Sequence, residues 1–275
     1  MGANMVIAQI SDMHIKPEGR LAYGRVDTAA YLARAVTHIL ELPCRPNAVI
    51  ATGDLVDAGR PDEYRRLRGL LAPLTMPIYL VPGNHDDRAA LVAEFPEHHY
   101  LPQSGPLHYT IENFPIRLVV LDTLVQGEPG GAVTSEGVAW LDRELSRYPK
   151  QPTMIVMHHP PFRTGIDGMD CQGLADPSAL GAVVRRHPHV ERIVCGHLHR
   201  PIQTRWNGTT VMTSPATAHQ VALELRPEIA VSFIMEPPAC LLHFWRQDLG
   251  LVTHTSYIGR FDGPHPFYAD GRLID

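Results

Sequence analysis

Over the first two hundred positions, apolar residues fall in short unbroken runs that end on polar clusters, and longer amphipathic stretches separate the runs. A short apolar run reads as a buried strand, and its alternation with helical periodicity is the pattern of a layered α/β protein. The pattern predicts strands at residues 5–11, 48–52, 78–81, 118–121, 154–157 and 193–195. It predicts helices at 27–41, with Asp27 as N-cap, and at 61–71, 135–147 and 177–186. A polar loop follows each strand, so the C-terminal strand ends gather polar residues on one edge, where open α/β sheets place their sites.

Beyond position 199 the helical periodicity stops. Strand-like runs at 209–212, 229–234, 239–244 and 251–257 predict further sheet, and the aromatic-rich tail at 261–268 is compatible with an oligomerisation lobe. The expected division is a core over 1–205 and a second part over 206–275, whose strands complete the second sheet and whose end forms a dimerisation lobe. Two loops rich in Gly and Pro, 123–134 and 160–176, leave strand ends on the site edge. Pocket wall and ordinary surface connection are both open readings for them.

Composition narrows the partners. The chain has 275 residues, 44% hydrophobic and 19% charged, which is enough to bury a sizeable core. Its net charge of -5 and the absence of a Lys/Arg run weigh against holding long nucleic acid. The apolar run at 5–10 is too short for a signal-peptide core or a membrane span, so a cytoplasmic protein with no membrane partner is expected. Cys44, Cys171, Cys195 and Cys240 lie far apart and at no metal-binding spacing. They are expected as reduced thiols, with an interchain disulfide left open for an exposed one.

The polar clusters carry the chemistry. Asp12 and His14, Gly53-Asp54, Gly83-Asn84-His85-Asp86, His158-His159-Pro160, and Gly196-His197 with His199 follow predicted strands in that order. In an extended segment residues two apart share a face, so Asp12 with His14, and His197 with His199, each read as a two-toothed ligand arm. Together the clusters offer nitrogen and oxygen ligands for two adjacent metal ions, and hydrolysis of a phosphate ester is the leading reading. Imidazoles, carboxylates and an amide without thiolate suit Fe, Mn, Co or Zn. A calcium cage would need more oxygens.

The ordered set D-x-H, G-D, G-N-H-D, H and G-H-x-H resembles the calcineurin-like metallophosphoesterases. The likeness spans Asp12 to His199 and implies an α/β fold, a two-sheet α/β/β/α sandwich. It also implies a ligand set: Asp12, His14 and His199 on one metal, Asn84, His158 and His197 on the other, and Asp54 bridging them. His159 falls in the place of a neighbour. Ions roughly 3.5–4 Å apart can share a hydroxide that attacks phosphorus in line. His85 is then the candidate to bind the phosphoryl group and protonate the leaving alkoxide, with Asp86 orienting it.

Charge counting favours diesters. Two divalent ions offset by Asp12, Asp54 and one hydroxide leave a single positive charge, which a phosphodiester monoanion neutralises. Related protein phosphatases carry arginines in G-D-x-V-D-R-G and R-G-N-H-E; here those places read Ala58 and Pro82. Closer similarity is to bacterial glycerophosphodiesterases and class III cyclic nucleotide phosphodiesterases, through Leu21-Ala22-Tyr23-Gly24, Gly59-Arg60-Pro61-Asp62-Glu63-Tyr64 and His219-Gln220. That branch implies a phosphate-side role for His219, a pocket place for Tyr23 and a dimer or larger homo-oligomer. A phosphomonoesterase, a non-catalytic binding scaffold and a nuclease acting on DNA or RNA are the competing readings; the acidic balance weighs against long polymers and leaves short or cyclic nucleotides open.

Overall fold

The computed structural model describes residues 4–274. Three strands open the first sheet: β1 (Met5–Ile10), β2 (Ala48–Thr52) and β3 (Ile78–Val81), all parallel. Between them run α1 (Thr28–Glu41), capped by the Asp27 carboxylate on the Ala30 amide, and α2 (Pro61–Leu71). Pro61 starts α2 where an amide hydrogen would be unpaired anyway, and Glu63 reaches back to the Arg60 amide. A short helix α3 (Arg88–Glu94) follows β3.

The second sheet comprises β4 (Tyr109–Ile111), β5 (Arg117–Val120), β6 (Thr153–Val156), β7 (Val190–Cys195), β8 (Gln203–Trp206) and β9 (Thr209–Thr213), in the order β4-β5-β6-β7-β9-β8. Its helices are α4 (Ser135–Arg147), α5 (Asp167–Asp170) and α6 (Ser178–Arg186). The pleat sorts its strand residues by parity. Leu118, Val120, Met154, Val156 and Val194 pack with the first sheet, whereas Val119, Leu121, Ile155 and Ile193 pack with Leu141 and Leu145 of α4 and Leu180 of α6. The result is the four-layer α/β/β/α sandwich.

The C-terminal segment serves both sheets. β9 extends the second, while β12 (Ala239–Arg246) and β13 (Gly250–Tyr257) return to the first, with β12 antiparallel to β1. The strand expected at 229–234 is confined to Phe233–Ile234 (β11), paired with Gln220–Val221 (β10). A last pair, β14 (Tyr268–Ala269) and β15 (Arg272–Leu273), is exposed. The two loops left open by the sequence behave differently. The second contains α5, and the first is joined to it by the Gly131 amide on the Gly173 carbonyl.

Candidate metal centre

β1, β2, β6 and β7 run parallel within their sheets, and the loops leaving their ends meet between the two sheets. The Asp12 amide donates to the Gly53 carbonyl at 3.1 Å, the His14 amide to the Asp54 carbonyl at 2.9 Å, and the Gly196 amide to the His158 carbonyl at 3.0 Å. The backbone here is not extended, contrary to the geometry inferred for the two ligand arms. Asp12, His14, Asp54, His197 and His199 have φ of 52°, 42°, 48°, 70° and 49°. Each such residue costs roughly 1–3 kcal/mol, so the arms converge by a strained left-handed turn and not by the pleat. Gly53, itself at φ 91°, leaves the room that the His158 ring occupies; a Cβ there would overlap it. Gly83 lies equally close to the Asp54 backbone and carboxylate.

All seven sequence-predicted ligands come together in two groups. Donor atoms of Asp12, His14, Asp54 and His199 lie within 4.8 Å of one another. His14 Nε2 is 3.1 Å from His199 Nε2 and 3.6 Å from Asp54 Oδ2, and His199 Nε2 is 3.5 Å from Asp12 Oδ1. In the second group Asn84 Oδ1 is 3.1 Å from His158 Nε2 and 3.2 Å from His197 Nδ1. His158 Nε2 is 3.4 Å from Asp54 Oδ1. The two oxygens of Asp54 therefore face different groups, the arrangement a bridging carboxylate requires.

The donor chemistry fits cations. In the first group, Asp12 Oδ2 is buried without a hydrogen-bond partner. Such orphans are rare in folded proteins unless something else satisfies them. Burial, followed by the proximity of Asp54, pushes the Asp12 carboxyl up to about 7. Burial would raise Asp54 too, but the imidazoles of His158, His14 and His85 hold it well below the usual carboxylate range. Burial lowers His14 well below its ordinary value, His197 to about 3 and His199 to about 4, keeping them neutral, the ligating form. His158 runs the other way. Burial opposes it, yet Asp54 and Asp12 raise it to about 9.

The remaining predicted residues line one cavity of about 340 Å³ beside the two groups: Asn84, His85, His219 and Tyr23. His85 Nδ1 donates to the Asp57 carbonyl at 2.7 Å, which leaves its other nitrogen for the cavity. Asp86 does not orient His85 as expected. Its carboxylate instead accepts from the amides of Gly83, Leu55 and Val56 and from the Tyr64 hydroxyl, stapling the second and third loops together. Asp57 was overlooked although it stands three residues after Asp54 in the same motif; its carboxylate also contacts Lys16 and faces His14. Both nitrogens of buried His219 lack partners, and burial with neighbouring His199 lowers it to about 3. Tyr23 stacks on Phe233 and meets His219 edge-on. His159 is within ligand reach of His158 and His197, but its nitrogens meet Thr123 Oγ1 and the Pro129 carbonyl.

Comparison with known proteins agrees with this geometry. The family model for calcineurin-like phosphoesterases matches residues 5–201, which include every residue of both donor groups. The chain belongs to that family. This metallophosphoesterase is 41% identical over 273 residues to a probable glycerophosphodiester phosphodiesterase of Arcobacter nitrofigilis, covering 98% of this chain and 100% of the relative. It is 35% identical over 218 residues to a cAMP/cGMP dual specificity phosphodiesterase of Mycobacterium tuberculosis, covering 78% and 68%. A dimetal phosphatase from Danio rerio shares the fold at a TM-score of 0.59 and 18% identity, over 93% of this chain and 99% of that one.

Proposed function

We propose that this metallophosphoesterase hydrolyses small phosphodiesters at a dinuclear metal centre, with glycerophosphodiesters as the leading substrates and 3′,5′-cyclic nucleotides such as cAMP as the second reading. The observation that carries the proposal is the Asp54 carboxylate set between two donor groups, beside a cavity whose described lining contains no Arg or Lys. A monoester dianion would call for such a cation; a diester monoanion does not. The names of the two relatives support the same class.

In this reading Asp12, His14 and His199 hold one ion, Asn84, His158 and His197 the other, and Asp54 both. Bound there, two divalent ions supply Lewis acidity that makes a nucleophile of water near neutral pH and offsets phosphate charge. Asp54 fixes the spacing of the groups, and its Oδ1 also accepts the His85 amide at 3.0 Å, which anchors the third loop to the same point. His85 presents its free nitrogen to the phosphoryl group. Burial works against its protonated form, but Asp54 and the Asp57 carbonyl outweigh burial and raise its pKa, which suits it to deliver a proton to the departing alkoxide. Neutral His219 offers a ring N–H to a phosphoryl oxygen, and Tyr23 with Phe233 walls the leaving-group side.

The donor set suits Fe, Mn, Co or Zn. Exposed Phe261, Phe267 and Tyr268 in the tail support a dimer or larger assembly through the C-terminal lobe. Four free thiols support a reducing, cytoplasmic setting, and among the described residues no helix is long and apolar enough to cross a membrane. The test is kcat/KM on metal-stripped protein reloaded with each metal, comparing bis(p-nitrophenyl) phosphate, p-nitrophenyl phosphate, glycerophosphoethanolamine and cyclic AMP. Metal-dependent preference for the diesters is expected. A preference for the monoester overturns the charge argument, and no turnover with any metal favours the scaffold reading.

A further inference from the structure

The interior between the two sheets, an apolar region elsewhere, contains a line of polar side chains that the chemistry above does not use. Gln9 of β1 is fully buried, as are Ser11 and Thr52, and His243 of β12 is 1% exposed. Their hydrogen bonds form one directed chain. Arg192 of β7 donates to Thr253 Oγ1 of β13, which donates to His243 Nδ1 at 2.9 Å. His243 Nε2 donates to Gln9 Oε1 at 2.9 Å, and Gln9 Nε2 donates to Thr52 Oγ1 at 2.9 Å and to the Cys195 carbonyl at 3.0 Å. Thr52 Oγ1 then donates to Ser11 Oγ at 2.8 Å, and Ser11 Oγ to the Thr52 carbonyl at 3.2 Å. That carbonyl also accepts from His158 Nδ1 at 2.7 Å.

We infer that Gln9 and His243 are positioning residues of the metal centre, which fix Thr52 and through it the Nδ1–H form of His158. The inference rests on the reading of His158 as a metal ligand. Three features argue for it. From Thr253 to Ser11 each side chain in the line has a partner for its hydrogen, and Gln9 cannot turn its amide without losing the Cys195 carbonyl and setting its NH2 against the His243 Nε2–H. With Nδ1–H committed to Thr52, the lone pair His158 can offer a metal is that of Nε2, the nitrogen that faces Asn84 Oδ1 and Asp54 Oδ1. Finally, polar groups are a costly filling for an inter-sheet core that Leu and Phe would fill without desolvating any amide or imidazole. The line also crosses between the sheets twice, at Gln9 to Cys195 and at Arg192 to Thr253, so the C-terminal hairpin β12-β13 is tied to the ligand loop after β2.

The test combines tautomer and metal binding. In Zn(II)-loaded wild-type protein labelled with ¹⁵N-histidine, ring-nitrogen shifts should report Nδ1–H with Nε2 bound for His158 and Nε2–H for His243; an Nδ1-bound His158 or an Nδ1–H His243 overturns the inference and needs no variant. Gln9→Leu and His243→Phe, checked by thermal unfolding without metal, should then bind Co(II) about 10- to 100-fold more weakly at one of two sites, with an altered absorption spectrum for that ion. His243→Gln, which can still donate to Gln9, should recover part of the loss. Folded variants with wild-type Co(II) affinity and spectrum overturn the positioning role. Failure of the wild type to bind a second Co(II) would instead strike the dinuclear reading itself.

Discussion

The two donor groups that share Asp54 are built from different material. The Asp12, His14 and His199 group has a carboxylate of its own, and all three residues stand in the left-handed region. The Asn84, His158 and His197 group has a neutral amide in that place, with only His197 in a left-handed conformation. An amide oxygen is a poorer donor than a carboxylate. In the proposed reading the first group would hold its ion with more charge, at a cost in backbone strain. The second would hold an ion whose binding depends on Asp54, on the orientation of His158 and on what else enters the cavity.

The largest effect that would break this contrast is removal of what the groups share. Asp54→Asn should lower kcat/KM for a diester by roughly a thousandfold or more, the scale of losing a principal electrostatic contact, and should weaken both ions in a metal titration. Loss of only one ion would mean that Asp54 does not bridge. Next, His85→Ala should cost roughly 10²- to 10⁴-fold on substrates with a poor leaving alcohol and much less on bis(p-nitrophenyl) phosphate, whose phenolate needs little protonation. Equal losses on both would assign His85 to support alone.

Asn84 offers a sharper comparison. Asn84→Asp should tighten the weaker ion by on the order of tenfold or more and bring the two dissociation constants together, because a carboxylate replaces the amide. Unchanged affinities would show that the asymmetry lies elsewhere. The smallest effect concerns pH and the metal-free chain. His197 and His199 have folded pKa values below the ordinary 6.5, so the stability linked to them is present above about pH 6.5 and is lost as pH falls toward about 4. Asp12, raised to about 7 from 3.8, has the opposite sign: its carboxyl keeps a proton in the fold that the unfolded chain has released, so its contribution falls as pH rises from about 4 to 7. Asp12→Asn should therefore make unfolding stability rise more steeply with pH in that window, by at most about 1.4 kcal/mol per pH unit for one proton. An identical slope in urea melts across the window would remove Asp12 from the account.

Much of the candidate centre was legible because its donor residues stand where apolar runs end. Asp54 follows the run at 48–52 and His158 follows 154–157, so a reading of strands alone delivers them to one edge. The helix start at Asp27 was equally plain, since the carboxylate caps its helix locally. What escaped has a physical reason in each case. β4 and β8 span three and four residues, too few to show alternation, and α3 has barely two turns. The left-handed backbone of the ligand arms leaves no mark in side-chain pattern, so an extended geometry was inferred in its place. Asp86 looked like a partner of its neighbour His85, yet its bonds go to Tyr64 and to the loop after β2, contacts set by the tertiary fold. Gln9 and His243 lie 234 positions apart, and their meeting depends on β12 pairing with β1.

The most direct test of two unequal sites joined at Asp54 is a metal titration of the stripped enzyme, with bound metal per chain and diester turnover read on the same samples. The account predicts two ions per chain with separated affinities, and turnover that follows the weaker one. Full diester turnover at one bound ion per chain would contradict it.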